Sequence, residues 1–160
     1  MHTQPQTISR VRPKGEVHIR VVGADGKLKY EAFNKNVVVD AGLTLLANRL
    51  SDATPTSGCL VNYIAVGTGT DAPNAADTQL QTENARKAVT SRANDATIAA
   101  ISTTFNAGDV PTSTIKELGL FIDGTASADT GTLLARVADD FAVTALDSVF
   151  VDWRITLADA

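Results

Sequence analysis

Short segments in which polar and apolar residues alternate recur along this 160-residue chain, and turn-forming residues separate them. A period of two places alternate side chains on opposite faces of a strand, so that one set can enter a core while the other meets water. We count about eight such segments, the last of them centred on Val149–Leu157. Short, closely spaced strands rich in threonine predict a mainly β protein, an antiparallel β-sandwich of jelly-roll type, rather than an α/β fold.

The first part of the chain predicts a hairpin followed by one short helix. Residues 16–21 and 28–33 alternate on either side of Gly23-Ala24-Asp25-Gly26, a tight-turn sequence. Asp40 then occupies an N-cap position before residues 41–50. The apolar face expected for this helix consists of Leu43, Leu46, Ala47 and Leu50.

These segments predict a single β-rich domain over residues 16–160. Within it, the hairpin and helix take up residues 16–50 and the sandwich takes up residues 60–158. Residues 87–93 and 97–105 flank Asn94-Asp95, which predicts a second hairpin that turns at these two polar residues.

Charge is distributed unevenly in the sequence. The net charge is −4, yet Arg10, Arg12 and Lys14 lie within residues 1–15, which contain no acidic residue. This segment has two prolines and no periodicity, so we expect an extended basic arm whose three cations contact a partner. The acidic body argues against direct nucleic-acid binding, which needs a basic footprint.

Membrane insertion and disulfide bonding are not expected. Apolar runs fall far short of the roughly 20 residues that a membrane-spanning helix needs, and Met1–Arg10 is too polar for a signal peptide. Cys59 is the only cysteine. Stability is therefore expected to come from packing or from association of subunits.

One glycine-rich string superficially resembles a cofactor motif. Gly67-x-Gly69-x-x-Ala72 satisfies a dinucleotide-binding spacing, but Pro73 and polar residues follow where a helix should begin. We therefore interpret Gly67 and Gly69 as a structural turn, in which glycine would permit a positive φ. No cofactor is expected.

The residues that usually carry catalysis or bind metals are sparse. His18 and one further histidine are too few for a zinc site of several histidines in one chain, and alternation places His18 on a polar, solvated strand face. No Gly-x-Ser-x-Gly elbow is present. Glu83 is expected to pair with Arg86 or Arg136, and Glu117 to serve packing and hydrogen bonding. We expect neither a bound metal nor enzymatic activity.

The last strand supplies one candidate for a subunit contact. If Val151 and Trp153 face the core, Phe150 faces outward, and an exposed aromatic side chain in a strand is typical of a contact with another subunit. The alternative interpretation is that both faces of the sheet, including the face of Phe150, are covered by the same chain.

Several strings in the sequence resemble segments of small tailed-phage virion proteins. The most informative string, Tyr63–Val89, is similar to a pattern of strand, GTGT, acidic-Pro loop, DT.L and E.AR. The other strings and the patterns that they resemble are Val37–Leu46 (VV.AGL.LLA), Ile115–Phe121 (I.E.GLF), Thr132–Val137 (GTLLARV) and Trp153–Leu157 (W.ITL). More loosely, the resemblance extends from Val17 to Leu157.

The resemblance implies a non-enzymatic structural protein of a phage virion, assembled in the cytoplasm of the bacterial host. We favour a capsid decoration or cement protein that binds neighbouring major capsid subunits, stabilises the head and forms a homo-oligomer, with a trimer preferred. The alternative within the particle is a tail, baseplate or fibre-attachment protein.

A carbohydrate-binding module is the third possibility. It is favoured least, because a sugar platform needs exposed aromatic rings and Trp153 is expected to point inward. Phe150 and Tyr63 are the residues whose substitution would test it.

Overall fold

The structure is a computed structural model that describes residues 11–51 and 59–159. The described residues form nine strands and one helix, and the mainly β class is confirmed. In chain order the elements are β1 (Val11–Val22), β2 (Leu28–Val38), α1 (Asp40–Ser51), β3 (Val61–Gly67), β4 (Glu83–Ala88), β5 (Ser91–Asp95), β6 (Ile98–Phe105), β7 (Ser113–Ile122), β8 (Thr132–Val143) and β9 (Ser148–Asp159).

The strands form one antiparallel sheet in the order β4-β3-β7-β8-β2-β1-β9-β6-β5. Its edge strands follow each other in the chain, since β4 ends at Ala88 and β5 begins at Ser91. Three residue steps span at most about 11 Å, so the sheet must curl until its two edges meet at this corner. There the Thr103 hydroxyl of β6 donates to the Ala88 carbonyl at 2.8 Å. The sandwich-like fold is thus built from one continuous curled sheet.

The hairpin of β1 and β2 lies in the middle of this sheet. Gly26, at φ 76°, permits the predicted turn, which the Gly23 amide closes by donating to the Lys27 carbonyl at 2.9 Å. β1 pairs with β9 along its length, and β2 joins β8 through Val37–Arg136 and Val38–Ala135. The hairpin therefore connects the two halves of the sheet.

Side chains bridge β2 and β8 where their backbones diverge. Asp139 on β8 accepts hydrogen bonds from the Tyr30 hydroxyl at 2.5 Å and the Asn34 amide at 2.9 Å. Burial, followed by this hydrogen bond and the charges of Asp139 and Asp140, raises the pKa of Tyr30 above its ordinary value. Tyr30 therefore remains a proton donor to Asp139, which holds the seam together.

The expected arm over residues 1–15 needs a correction. Residues 11–15 belong to β1 and pair with residues 155–159 of β9. These residues show no alternation, but backbone pairing satisfies their amide and carbonyl groups without any side-chain pattern. Residues 1–10, including Arg10, lie outside the described residues. Of the other two cations, Arg12 lies on β1 with a side chain that is not described, and Lys14 is exposed on β1.

Helix α1 begins one residue earlier than predicted. The Leu43 amide donates to the Val39 carbonyl at 3.1 Å, so Val39 and not Asp40 occupies the N-cap position.

Helix α1 packs against β8. Gly42 permits this packing, because a Cβ there would lie 2.7 Å from the Leu134 Cα. The expected apolar face is only partly correct: Leu45 and Leu46 pack against the core, whereas Leu50 is 92% exposed. The apolar face spaced at i, i+3, i+4 and i+7 therefore did not predict which side of α1 packs on the sheet.

The second hairpin forms, but its turn is displaced from the predicted position. Asn94 pairs with Ala99 and Asp95 with Ile98, which leaves residues 96–97 as the turn. Packing of Ile101 into the core fixes the register of β6 and overrides the turn preference of Asn94-Asp95.

Apolar residues fill both the inside of the curl and part of its outside. The enclosed core contains buried side chains such as Ile19, Phe105, Leu120 and Trp153. A smaller cluster lies on the outer face of β3, β7 and β8 and consists of Val39, Ala65, Leu80, Phe121 and Leu133. Because Leu80 comes from the segment between β3 and β4, that segment covers this outer face.

Candidate functional site

A buried carboxylate fastens the segment between β3 and β4, which we call the GTGT loop (residues 68–82). Glu117 on β7 is completely buried. Its Oε1 accepts from the Gly69 amide at 3.0 Å and the Thr82 amide at 2.8 Å, and its Oε2 accepts from the Gln81 amide at 3.0 Å. One carboxylate therefore binds both ends of the loop. The predicted packing and hydrogen-bonding role of Glu117 is confirmed.

Arg136 on β8 completes this arrangement from beneath the loop. Its guanidinium is 2.7 Å from Glu117 Oε2 and 2.7 Å from Asp77 Oδ2, and it also donates to the Asp71 carbonyl at 3.0 Å. Burial opposes ionisation of Asp77, but the Asn74 amide and Arg136 outweigh burial and lower its pKa. The buried guanidinium is thus paired at both its loop side and its sheet side.

Gly67 and Gly69 are required by close approach and not by a positive φ. The positive-φ glycines of the described chain are Gly26, Gly108 and Gly131, so the conformational reason predicted for Gly67 and Gly69 is wrong. A Cβ on Gly67 would lie 2.5 Å from the Thr82 carbonyl and 2.7 Å from Glu117 Oε1, and one on Gly69 would collide with Gln81 and Glu117. Glycine is required at both positions because any side chain there would collide with Glu117.

A second ion pair fastens the loop between β7 and β8, residues 123–131. Arg86 donates to both carboxylate oxygens of Glu83 at 2.5 and 2.6 Å, and each side chain is 3% exposed. The same guanidinium donates to the Thr130 carbonyl at 3.0 Å and lies 4.8 Å from the Phe121 ring. The predicted pairing of Glu83 with Arg86 is confirmed. Its other proposed partner, Arg136, pairs with Glu117 and Asp77 instead.

The outer face of β2, β1, β9, β6 and β5 carries the residues that sequence reasoning proposed for contacts. Phe150 faces outward while Val149 and Val151 are buried, as predicted. It is half-buried, and the Arg20 guanidinium lies 5.3 Å from its ring. Lys14 points to the same face of β1 as Arg20, six residues and therefore roughly 20 Å farther along the strand. The structure places these residues on one face but does not bring them together.

Sequence reasoning missed the most exposed aromatic side chain on this face. Phe33 on β2 is 76% exposed and stacks on His18, with ring centroids 4.0 Å apart and planes 9° apart. His18 Nε2 lies 2.8 Å from Glu31 Oε1, and His18 Nδ1 lies 4.0 Å from Asp152 Oδ2. Phe33 pairs with His18 across the hairpin, so the predicted polar orientation of His18 already implied that Phe33 faces outward.

An open groove of about 450 Å³ crosses this face. Two adjacent rows of side chains, each running across all five strands, form it. The first row consists of Phe33, His18, Asp152, Ser102 and Ser91. The second consists of Lys35, Glu16, Arg154, Ala100 and Ala93.

The groove changes character from one end to the other. At the β2 end the side chains are large or charged, and at the β5 end they are alanine and serine. Asp152 accepts a hydrogen bond from Arg20 at 3.1 Å. Within the described parts of the chain, the side chains of Glu16, Lys35 and Arg154 make no hydrogen bond or ion pair. These three charged groups are available to a ligand.

Tyr63, the other aromatic residue considered at the sequence level, lies elsewhere. It packs in the outer cluster of β3, β7 and β8, with the Arg86 guanidinium 5.7 Å from its ring. It is therefore part of the fastening of the 123–131 loop and does not line the groove.

No known protein family, curated protein or solved structure matches this chain. In residues 11–51 and 59–159, no group of three or more His, Cys, Asp or Glu side chains is arranged to hold a metal ion. No helix in the same residues has the length and apolar character that a membrane span requires.

Proposed function

We propose that this protein is a non-enzymatic structural component of a tailed-phage virion, and that it decorates the capsid. The main support is that the strings resembling phage virion proteins contact one another directly. Glu117 of the I.E.GLF string meets Gly69 of the GTGT string, and Arg136 of the GTLLARV string pairs with Glu117. If the strings matched by chance, we would not expect their matched residues to lie together in one buried network.

The same network explains what the shared residues do. Asp77 of the DT.L element pairs with Arg136, and Leu80 of the same element packs with Phe121 and Leu133 in the outer cluster. Buried ion pairs fix geometry more than they add stability, because desolvation offsets much of their attraction. A protein that must present loops in fixed positions to neighbours benefits from such fastening, which favours a structural role.

The N-terminal cations remain the proposed attachment element. Residues 1–15 carry Arg10, Arg12 and Lys14 without an acidic residue, on a chain whose net charge is −4. Such a segment complements an acidic surface on the major capsid protein or another virion protein. Phe150 and its surroundings are the proposed contact between copies of this chain, with a trimer as the favoured assembly.

Binding to stripped phage particles tests this proposal. The full chain and a variant that lacks residues 1–10 and carries Arg12→Gln and Lys14→Gln are mixed with particles from which the native protein has been removed, and both are sedimented at low and high salt. We expect the full chain to sediment with heads at low salt, and both truncation and high salt to weaken binding, because salt screens exposed charges over about 8–10 Å.

The control is a Lys27→Gln/Lys116→Gln variant, which removes two positive charges outside the arm, one in the turn between β1 and β2 and one on β7. It should bind like the full chain. Equal binding by the truncated chain would remove the arm from the mechanism, and binding to isolated tails alone would replace decoration with the tail-associated alternative.

A further inference from the structure

We propose that the groove across β2, β1, β9, β6 and β5 is a binding site for an acidic saccharide. The ligand class is a short oligosaccharide that contains carboxylate-bearing sugar residues. This inference does not depend on the virion role, because it is argued from the side chains of the groove alone.

Phe33 provides a fixed aromatic platform at one end of the groove. One face of its ring is covered by the His18 imidazole at 4.0 Å, and the side chain is still 76% exposed. His18 is in turn held by Glu31 at 2.8 Å. An aromatic ring that is already ordered loses little conformational freedom on binding, and its open face can take the apolar C–H face of a sugar ring.

The charged groups in the groove favour an anionic ligand that also carries hydroxyl groups. Lys35 and Arg154 are unpaired among the described residues and flank Glu16, which is unpaired as well. A ligand carboxylate can accept paired hydrogen bonds from the planar guanidinium of Arg154. Glu16, between the two cations, can accept a hydrogen bond from a hydroxyl group of the same ligand.

The other end of the groove suits a chain of sugar residues. Ser102 and Ser91 face each other across β6 and β5, beside Ala100 and Ala93. Four interstrand steps separate Phe33 from Ser91, a distance of roughly 19 Å along the sheet. Small side chains leave room above the sheet, and the serine hydroxyls can both donate and accept hydrogen bonds.

Two other ligand classes fit this groove less well. A polypeptide interface is expected to contain a cluster of apolar anchors, whereas Phe33 is the one exposed large apolar side chain among the groove residues. A nucleic acid needs a basic footprint, but Glu16 lies between Lys35 and Arg154, and Asp152 lies beside Arg154 on β9. Hydroxyl groups together with a carboxylate match the groove best.

Titration of the full chain with defined saccharides tests the proposal. Tetragalacturonate and sialyllactose are the acidic probes and maltotetraose is the neutral one, with binding followed by amide chemical shifts in nuclear magnetic resonance spectra. We expect an acidic probe to shift the amide signals of the groove strands and to bind at least about tenfold more tightly than maltotetraose. Phe33→Ala and Arg154→Gln should each weaken binding by about tenfold or more.

Leu146→Ala is the matched control, because it removes a large apolar side chain that is 68% exposed in the turn between β8 and β9, outside the groove. It should change the affinity less than about twofold. Shifts of the groove signals caused by protein concentration alone would identify a second copy as the occupant and overturn the proposal. The absence of binding by both acidic probes, or unchanged binding by Phe33→Ala, would overturn it as well.

Discussion

Replacing Glu117 by Gln is the sharpest test of the fastened loop. The substitution keeps the shape of the side chain but removes its charge, and it places an NH₂ group where an oxygen now accepts. That group would face amides of the GTGT loop or the guanidinium of Arg136, all of which are donors. Arg136 would retain Asp77 as its one anionic partner among the described residues.

The size of the effect follows from burial. Removing one partner of a buried ion pair costs about 3–5 kcal/mol, because the remaining charge loses its compensation. Domains are stable by only about 5–15 kcal/mol. In a chain of this size each kcal/mol lowers the melting temperature by about 2–4 °C, so we expect a decrease of roughly 6–20 °C.

Thermal unfolding followed by circular dichroism measures this change. The matched control is Asp140→Asn, which removes a carboxylate that pairs with Lys116 at 2.5 Å but is 69% exposed. An exposed pair contributes less than about 1 kcal/mol, so this control should melt near the unsubstituted protein. Hydrogen exchange should also accelerate at the Gly69, Gln81 and Thr82 amides of Glu117→Gln. A melting temperature lowered by less than about 2 °C would refute the reasoning.

Three further predictions concern the glycines, the N-terminus and acid stability. Gly67→Ala should lower the free energy of unfolding by about 1–3 kcal/mol because its Cβ meets the backbone, whereas Gly23→Ala, whose Cβ meets flexible side chains, should not; equal denaturant midpoints would contradict this. Deleting residues 1–15 should lower the melting temperature below that of a chain lacking residues 1–10, because only the longer deletion removes the pairing of residues 11–15 with the end of β9. Equal melting temperatures for the two truncations would contradict the strand assignment. The ammonium of Lys29 holds the pKa of Asp147 below its usual range against the opposing effect of burial. The contribution of the ionised Asp147 to the free energy of unfolding is therefore fully present above the unfolded-state pKa near ~4, and it is lost as pH falls through the lower folded-state pKa. The free energy of unfolding of Asp147→Asn should therefore fall less steeply as the pH is lowered. An unchanged pH dependence would contradict the assignment of this loss to Asp147.

Alternation in the sequence identified most strands because burial of every second side chain leaves a direct trace in residue order. Ile101 and Trp153 point inward and Phe150 outward, as their positions in alternating segments require. Contacts between distant segments leave no such trace. The turn of the second hairpin was misplaced for this reason, since the core contacts of Ile101 outweigh the local preference of Asn94-Asp95.

The candidate sites show the same division between local and distant information. The pairing of Glu83 with Arg86 could be anticipated, because the two residues lie three positions apart in the sequence. The reason for Gly69 could not, because Glu117 approaches it from a strand that lies 48 residues away. The groove combines residues of five strands, so it becomes visible only once their registers are known.

The most direct test of the proposed function is the amount of this protein in purified virions. Particles produced from the genome that encodes the chain are purified on density gradients, and quantitative mass spectrometry compares this chain with the major capsid protein. A capsid decoration protein should cosediment with the particles in a fixed ratio to the major capsid protein. Absence of the chain from intact, gradient-purified particles would contradict the proposed role as a virion structural protein.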